Sequence, residues 1–365
     1  MIGLYIHIPF CKQACSYCDF HFSTNLTRSS GMVDAICKEL EARSSETTSP
    51  ISTVYFGGGS PSILSETELA QIVQCIKDNY DVSSATEFTL ESNPDDHSIE
   101  KLSLWKSHGV NRLSVGIQSF VDRDLAQMNR AHNALEAHHC VEKARSAGFD
   151  SLSIDLIYGI PGQSMDEWLQ NIQTAIELNT DHISAYCLTI EPKTALMHQL
   201  KAGKVSEKDD DVIQAEYDVL CTLLRKAGYE HYEISNFSKV GKRALHNTSY
   251  WKSKPYIGVG PSAHSFDGDK TRRWNVSNNV IYTKAVAASD TYWEEETLSE
   301  TDIQNESVMI GLRRTEGITR TKQLDDKVAK LHQSLGEMLW VTDSHIGILE
   351  KHWLRADAII RELFE

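Results

Sequence analysis

The sequence predicts an α/β chain: a partial (β/α)6 barrel followed by a smaller α-rich, winged-helix-like domain. Three observations predict it. Short apolar runs alternate with amphipathic helical stretches through the first half of the chain, the pattern of parallel strands joined by right-handed crossovers. Six such β-then-α units fit an open barrel better than a closed one of eight. From Leu298 onward the pattern becomes helical, and the chain ends in WVTDSHIGILEKHWLRADAIIRELF, read as a short hairpin followed by a helix.

The elements follow in order. Ile2–Ile8 reads as the first strand and 31–42 as the first helix, then 53–56 as the second strand. Glu66–Asn79 places Leu69, Ile72, Val73 and Ile76 on one helical face. Residues 88–91, 112–117, 151–157 and His182–Cys187 are further strands, separated by helical stretches at Ile99–Ser107, 134–147 and Met165–Leu178. After about residue 230 the chain, NFSKVGKRALHNTSYWKSKPYIGVGPSAHSFDGDK, is rich in Gly, Ser, Lys and aromatics and reads as ordered loop with little helix. The expected division is residues 1–240 for the barrel, 241–285 for an irregular connecting segment and 286–365 for the C-terminal domain.

Composition narrows the function. With 36 Lys and Arg against 51 Asp and Glu, the net charge is −15. Nucleic-acid backbones need a basic stripe, so no nucleic-acid partner is expected. No window reaches the roughly 18 unbroken apolar residues of a membrane span, so no membrane anchor is expected. The N-terminal MIGLYIHIPFCK lacks the basic start and small-residue cleavage site of a signal peptide. A cytoplasmic chain is expected, and its eight cysteines then read as metal ligands or buried thiols.

Chemistry concentrates in CKQACSYCDF. Cys11, Cys15 and Cys18 stand in a C-x3-C-x2-C spacing on a loop. Three thiolates can hold three irons of a cubane iron–sulfur cluster and leave the fourth open for an exchangeable ligand. A zinc site completed by a distant Cys or His, His21 among the candidates, is the alternative. Cys37, Cys75, Cys140, Cys187 and Cys221 fall in helical or strand patterns and read as buried apolar residues. The strand ends are polar: GGGSPS at Gly57–Ser62, then Glu91, Gln118, Asp155 and Thr189. In a parallel barrel such ends converge on one mouth. His246, in HNTSYW, and His264, in GPSAHS, lie near Tyr250, Trp251 and Tyr256; on the residues alone each reads either as a hydrogen-bonded loop histidine or as an iron ligand beside aromatic rings that pack a porphyrin. His7 reads as a core or hydrogen-bonded residue, and His138 and His139 as solvated.

The cysteine motif, with Tyr17 just before its third cysteine, resembles the radical S-adenosylmethionine (SAM) superfamily. YIHIPFC with GGGSPS narrows the resemblance to the oxygen-independent coproporphyrinogen III dehydrogenase family, HemN, and HNTSYW narrows it to its HemW branch of heme chaperones. The resemblance spans nearly the whole chain and implies a radical SAM barrel with a HemN-like C-terminal domain. It implies a [4Fe-4S] cluster on Cys11, Cys15 and Cys18, with SAM on the open iron. Tyr5, Tyr17, Gly58 and Glu91 are implied to meet SAM. Gly59, Ser60, Gln118, Arg130, Asp155 and Thr189 match positions that line a second SAM site in HemN. It further implies heme as a cofactor, with His246 and His264 as candidate heme residues, and an acceptor apoprotein such as a membrane-bound respiratory protein as partner.

Two departures bear on the reaction. HemN-type enzymes carry an N-terminal extension before the first strand, whereas Tyr5 here stands four residues from Met1. They also carry a further cysteine two residues after the third ligand, where this chain has Phe20. The expected function is therefore heme binding and transfer. The alternative is oxygen-independent coproporphyrinogen III dehydrogenase, a radical SAM oxidative decarboxylation.

Overall fold

The computed structural model describes residues 2–335 and 337–365. Six parallel strands occupy the middle of a large sheet: β1 (Ile2–Ile8), β2 (Ile51–Gly58), β3 (Glu87–Ser92), β4 (Arg112–Gln118), β5 (Ser151–Tyr158) and β6 (His182–Cys187). They pair in chain order, each parallel to the next. The crossovers are helical: α1 (Ser29–Ala42), α2 (Glu66–Asn79), α3 (Ile99–Ser107), the pair α4 (Asp122–Gln127) and α5 (Ala134–Ser146), then α6 (Met165–Leu178). After β6 come α7 (Ala195–Lys201) and α8 (Asp210–Lys226). This is the expected α/β barrel core.

Local chemistry starts these helices where the pattern placed them. Ser65 with Glu68, Asn133 with Glu136 and Ser164 with Glu167 form reciprocal capping boxes on α2, α5 and α6, which satisfy backbone N–H groups that would otherwise lack partners. The predicted face of α2 is the buried one: Leu69, Ile72, Val73 and Ile76 all enter the core. Each such side chain contributes about 1.5–3 kcal/mol of burial. The apolar core runs without a break from Leu4 on β1 to Leu363 near the C-terminus. Cys37, Cys75, Cys140 and Cys221 are buried as expected, whereas Cys187 is half-buried.

The sheet continues on both sides of the parallel set. β7 (Glu230–Glu233) and β8 (Asn236–Ser238) form an antiparallel pair on β6. On the other side β9 (Tyr256–Val259) runs parallel to β1. It is followed by β10 (His264–Phe266), β11 (Thr271–Asn275) and β12 (Trp293–Thr297), all antiparallel neighbours. Between these lie α9 (Leu245–Trp251) and α10 (Asn279–Ala288). The barrel is open, with β12 and β7 at the sheet's two edges.

About half of the stretch expected to be loop is thus regular, and HNTSYW lies in a helix. Thr248 and Ser249 hydroxyls donate to the Ala244 and Leu245 carbonyls at 2.7 and 3.0 Å. The Glu87 carboxylate, on β3, accepts from the Leu245 and His246 N–H groups at 2.8 and 2.9 Å. A carboxylate at a helix N-terminus is a strong cap. This one comes from 158 residues away, beyond the reach of any local pattern.

A buried ion pair fixes the β9–β11 extension. Glu39 on α1 and Arg43 at its C-terminal cap are 0% and 3% exposed. Arg43 donates to Glu39 at 3.2 Å, to the Gly258 carbonyl at 2.6 Å and to Ser265 Oγ at 3.1 Å. Glu39 accepts from Gly260 N–H, Asn275 and Tyr282 at 2.8, 2.8 and 2.6 Å. The remaining chain forms α11 (Glu300–Gly311), β13 (Ile318–Thr319), α12 (Lys322–Leu335), the hairpin β14 (Leu339–Val341) and β15 (His345–Ile348), and α13 (Ala356–Leu363). The hairpin and final helix match the expectation, and β13 pairs beside β15 to complete a small antiparallel sheet.

Candidate functional site

The cysteine loop between β1 and α1 is pinned at several points. Cys11 N–H donates to the Ser23 carbonyl at 3.1 Å, and Ser23 N–H to the Pro9 carbonyl at 2.9 Å. Ser16 N–H donates to the Met128 carbonyl at 2.9 Å, and Asn129 Nδ2 to the Ala14 carbonyl at 2.7 Å. These bonds hold Cys11, Cys15 and Cys18, all half-buried, along one cavity of about 520 Å³. Ser60 Oγ lies 3.8 Å from Cys11 Sγ, and Arg130 Nη1 lies 3.2 Å from Cys15 Sγ. Burial pushes the Cys11 and Cys18 thiols up to about 11, so their ionisation near neutral pH needs a bound metal.

The strand ends supply the other walls. Gly58 ends β2 and Gly59 and Ser60 follow it, Glu91 lies one residue before the end of β3, and Gln118 ends β4. Asp155 points in from β5, Thr189 follows β6, Arg130 follows α4, and Tyr17 comes from the cysteine loop. Asn93, which sequence reasoning did not single out as a site residue, ties two walls together. It donates to Ser60 Oγ at 2.8 Å and accepts from Arg130 at 2.6 Å. Its signal was its place in a polar ESNP run after a strand. The cavity also has unmet polar atoms, since buried Gln118 Oε1 and Arg130 Nε have no partner among the described residues. Such atoms cost free energy unless a ligand satisfies them. Gly59 is obligatory, because a Cβ there would sit 2.5 Å from the Phe10 carbonyl oxygen and 2.8 Å from that of Ile8. These features fit a zwitterionic ligand beside a cluster.

The floor is electrostatically tense. Burial holds the Glu91 carboxyl up at about 7, although the Tyr55 hydroxyl and Gly58 N–H donate to it at 2.7 and 3.2 Å. Burial raises Asp155 to about 6, partly offset by the Ser184 hydroxyl and the charge of Arg112. A cationic group arriving in the cavity would relieve both.

A second, larger cavity of about 830 Å³ adjoins the first. The two share Phe20, Gly58, Glu91 and Tyr186. Phe20, 71% exposed, projects where they meet. Tyr5, His246 and His264 line this cavity and not the smaller one, and Tyr5 shares it with Gly58 and Glu91, two of the residues expected around SAM. Tyr250, Trp251 and Tyr256 line it as well. His7 also lies there, 5% exposed, with Nε2–H donating to the His21 carbonyl at 3.0 Å and Nδ1 accepting from the Tyr5 hydroxyl at 3.1 Å. His138 and His139 are exposed on α5, as expected.

The two candidate heme histidines differ. His246 is 1% exposed. Its Nδ1 is hydrogen-bonded to Thr53 Oγ1 at 2.8 Å and its Nε2 to the Tyr250 hydroxyl at 2.7 Å. Its ring stacks on Tyr55 with centroids 5.0 Å apart. Burial pushes it down to about 3, so it is neutral and braces α9 against β2. Iron ligation by His246 requires one of those bonds to open. His264 is exposed on β10, stacked beside Trp274 at 6.2 Å.

The Radical SAM superfamily pattern matches residues 5–175. Over 88% of this chain, and 86% of the relative, the sequence is 35% identical to the protein named heme chaperone HemW of Bacillus subtilis. It is 32% identical to heme chaperone HemW of Mycobacterium tuberculosis over 99% of this chain and 94% of that one. The fold superposes on coproporphyrinogen III oxidase (HemN) of Escherichia coli with a TM-score of 0.86 at 21% identity, covering 100% of this chain and 90% of that one. The superfamily implies a [4Fe-4S] cluster and SAM. By these similarities the chain belongs to the HemW family of the radical SAM superfamily.

Proposed function

We propose that this protein is a heme chaperone that binds heme, a [4Fe-4S] cluster and SAM, and passes heme to an acceptor apoprotein. One observation carries the reading. A cavity with three cysteines and the polar strand ends abuts a larger, aromatic-lined cavity across the shared Glu91 and Gly58. Cys11, Cys15 and Cys18 would hold three irons of the cluster, and SAM would complete the fourth. Tyr5, Tyr17, Gly58 and Glu91 would meet SAM, with Gly59, Ser60, Gln118, Arg130, Asp155 and Thr189 completing the enclosure, carboxylates toward its ammonium and ribose and Arg130 toward its carboxylate. The larger cavity falls within the size range of cofactor sites and offers tyrosine and tryptophan faces to a porphyrin. There His264 is the histidine exposed to reach an iron, while His246 shapes the wall. Among the described residues no helix is long and apolar enough to cross a membrane. A cytoplasmic carrier that docks transiently on its acceptor agrees with that.

The test is a single anaerobic preparation with the cluster reconstituted. Heme binding is followed by absorption, and coproporphyrinogen III conversion is assayed alongside. Stable heme binding without turnover is expected. Decarboxylation at a useful rate overturns the chaperone reading. One zinc per chain with no iron overturns the cluster assignment.

A further inference from the structure

Lys254, Arg272 and Arg313 line the larger cavity although the chain carries a net charge of −15. Lys254 lines it from the turn between α9 and β9. The side chain is exposed and has no hydrogen-bond or ion-pair partner among the described residues. Arg272 lines it from β11, 34% exposed, with its guanidinium 6.0 Å from the Phe266 ring centre. Arg272 pairs with Glu306 on α11, a carboxylate only 19% exposed that lines the same cavity. Glu306, Ile310 and Arg313 follow one another at helical spacing, so α11 and its end form the facing wall. Arg313 is already committed to Asp357 at 2.5 Å.

An arginine in a ligand cavity that already grips a carboxylate has the geometry to grip another one. An unpartnered lysine on the same rim supplies a second anion position. Glu91 and Glu233, both held at about 7 by burial, present less negative charge to an anion than ordinary glutamates do, and little of it below neutral pH. We propose that Lys254 and Arg272 clamp the two carboxylates of a flat dicarboxylate ring ligand, and that Glu306 occupies one of those positions until the ligand displaces it. The proposal rests on reading the larger cavity as the porphyrin site and names the residues that select the porphyrin's acid side chains. Releasing Glu306 also breaks an ion pair between α11 and β11, so ligand entry and the seating of the C-terminal helices are linked.

The experiment compares ferric protoporphyrin IX with its dimethyl ester, titrated into the full chain in matched cosolvent. The proteins are the native chain, Lys254→Met, Arg272→Met and Glu306→Gln. The diacid should bind the native chain at least about tenfold more tightly than the diester, since a charge-assisted bond contributes about that factor. Lys254→Met and Arg272→Met should each weaken the diacid about tenfold and leave the diester unchanged. Glu306→Gln should tighten the diacid, a gain that damage to the fold would not produce. Equal binding of diacid and diester, or weaker diacid binding by Glu306→Gln, overturns the clamp. Binding of neither porphyrin overturns the reading of the cavity itself, and the clamp with it.

Discussion

Glu91→Gln removes one charge from the floor between the two cavities and keeps the side chain's shape. In the native fold burial holds this carboxyl at about 7, against 4.5 for an ordinary glutamate. A shift of that size costs the ionised form about 3 kcal/mol, at about 1.36 kcal/mol per pH unit. Between pH 4.5 and 7 the folded chain keeps a proton that the unfolded chain has released. Stability therefore falls as pH rises through that window. Glu91 is half-buried and the cavity admits water, which brings the expected loss to about 2 kcal/mol. The glutamine can still accept from Tyr55, but its amide then faces the Gly58 N–H, 3.2 Å away in the native fold. That orphaned donor costs about 1 kcal/mol at every pH. Glu91→Gln should thus be about 1 kcal/mol less stable than the native chain at pH 5, and about 1 kcal/mol more stable at pH 8. The assay is urea denaturation of the cluster-free chain from pH 5 to 8. SAM affinity should fall in the variant, most at pH 8, where the native carboxylate is charged. Parallel stability curves that never cross would refute the reasoning.

Three further outcomes are expected. Gly59→Ala forces a methyl group against the Phe10 and Ile8 carbonyls, so denaturation should show a loss of about 2–3 kcal/mol, and iron retained after reconstitution should drop with it. His246→Ala removes two hydrogen bonds and a stacked ring, at a cost of about 3 kcal/mol by denaturation. His264→Ala should leave stability nearly unchanged and shift the absorption of bound heme. The opposite pattern would make His246 the ligand.

The barrel was legible because each parallel strand is a short buried run and four of the crossover helices, α2, α3, α5 and α6, start on a side-chain cap. Ser65-x-x-Glu68 and Ser164-x-x-Glu167 fix helix starts within four residues. The smaller cavity was legible for a topological reason: polar residues at the C-terminal ends of neighbouring parallel strands must meet, and Gly58, Glu91, Gln118 and Asp155 do meet. What stayed hidden depends on distant partners. The α9 helix owes its N-terminal cap to Glu87, and β10 owes its seat to Arg43 at the C-terminal cap of α1. Neither leaves a mark in the local sequence. Tyr5 went to the larger cavity because its place on β1, beside His7 and near Tyr55 and His246, turns it toward α9.

The common floor of the two cavities has a thermodynamic consequence. A cation in the smaller cavity draws the Glu91 proton off, and an anion in the larger one drives it back on. Two ligands that act on one proton in opposite directions oppose each other when both carry those charges, and by equal factors in either direction. The strength of that antagonism depends on pH and is largest near the carboxyl's own value of about 7. Affinity for a porphyrin measured without SAM, and affinity measured with it, are then properties of two different molecules.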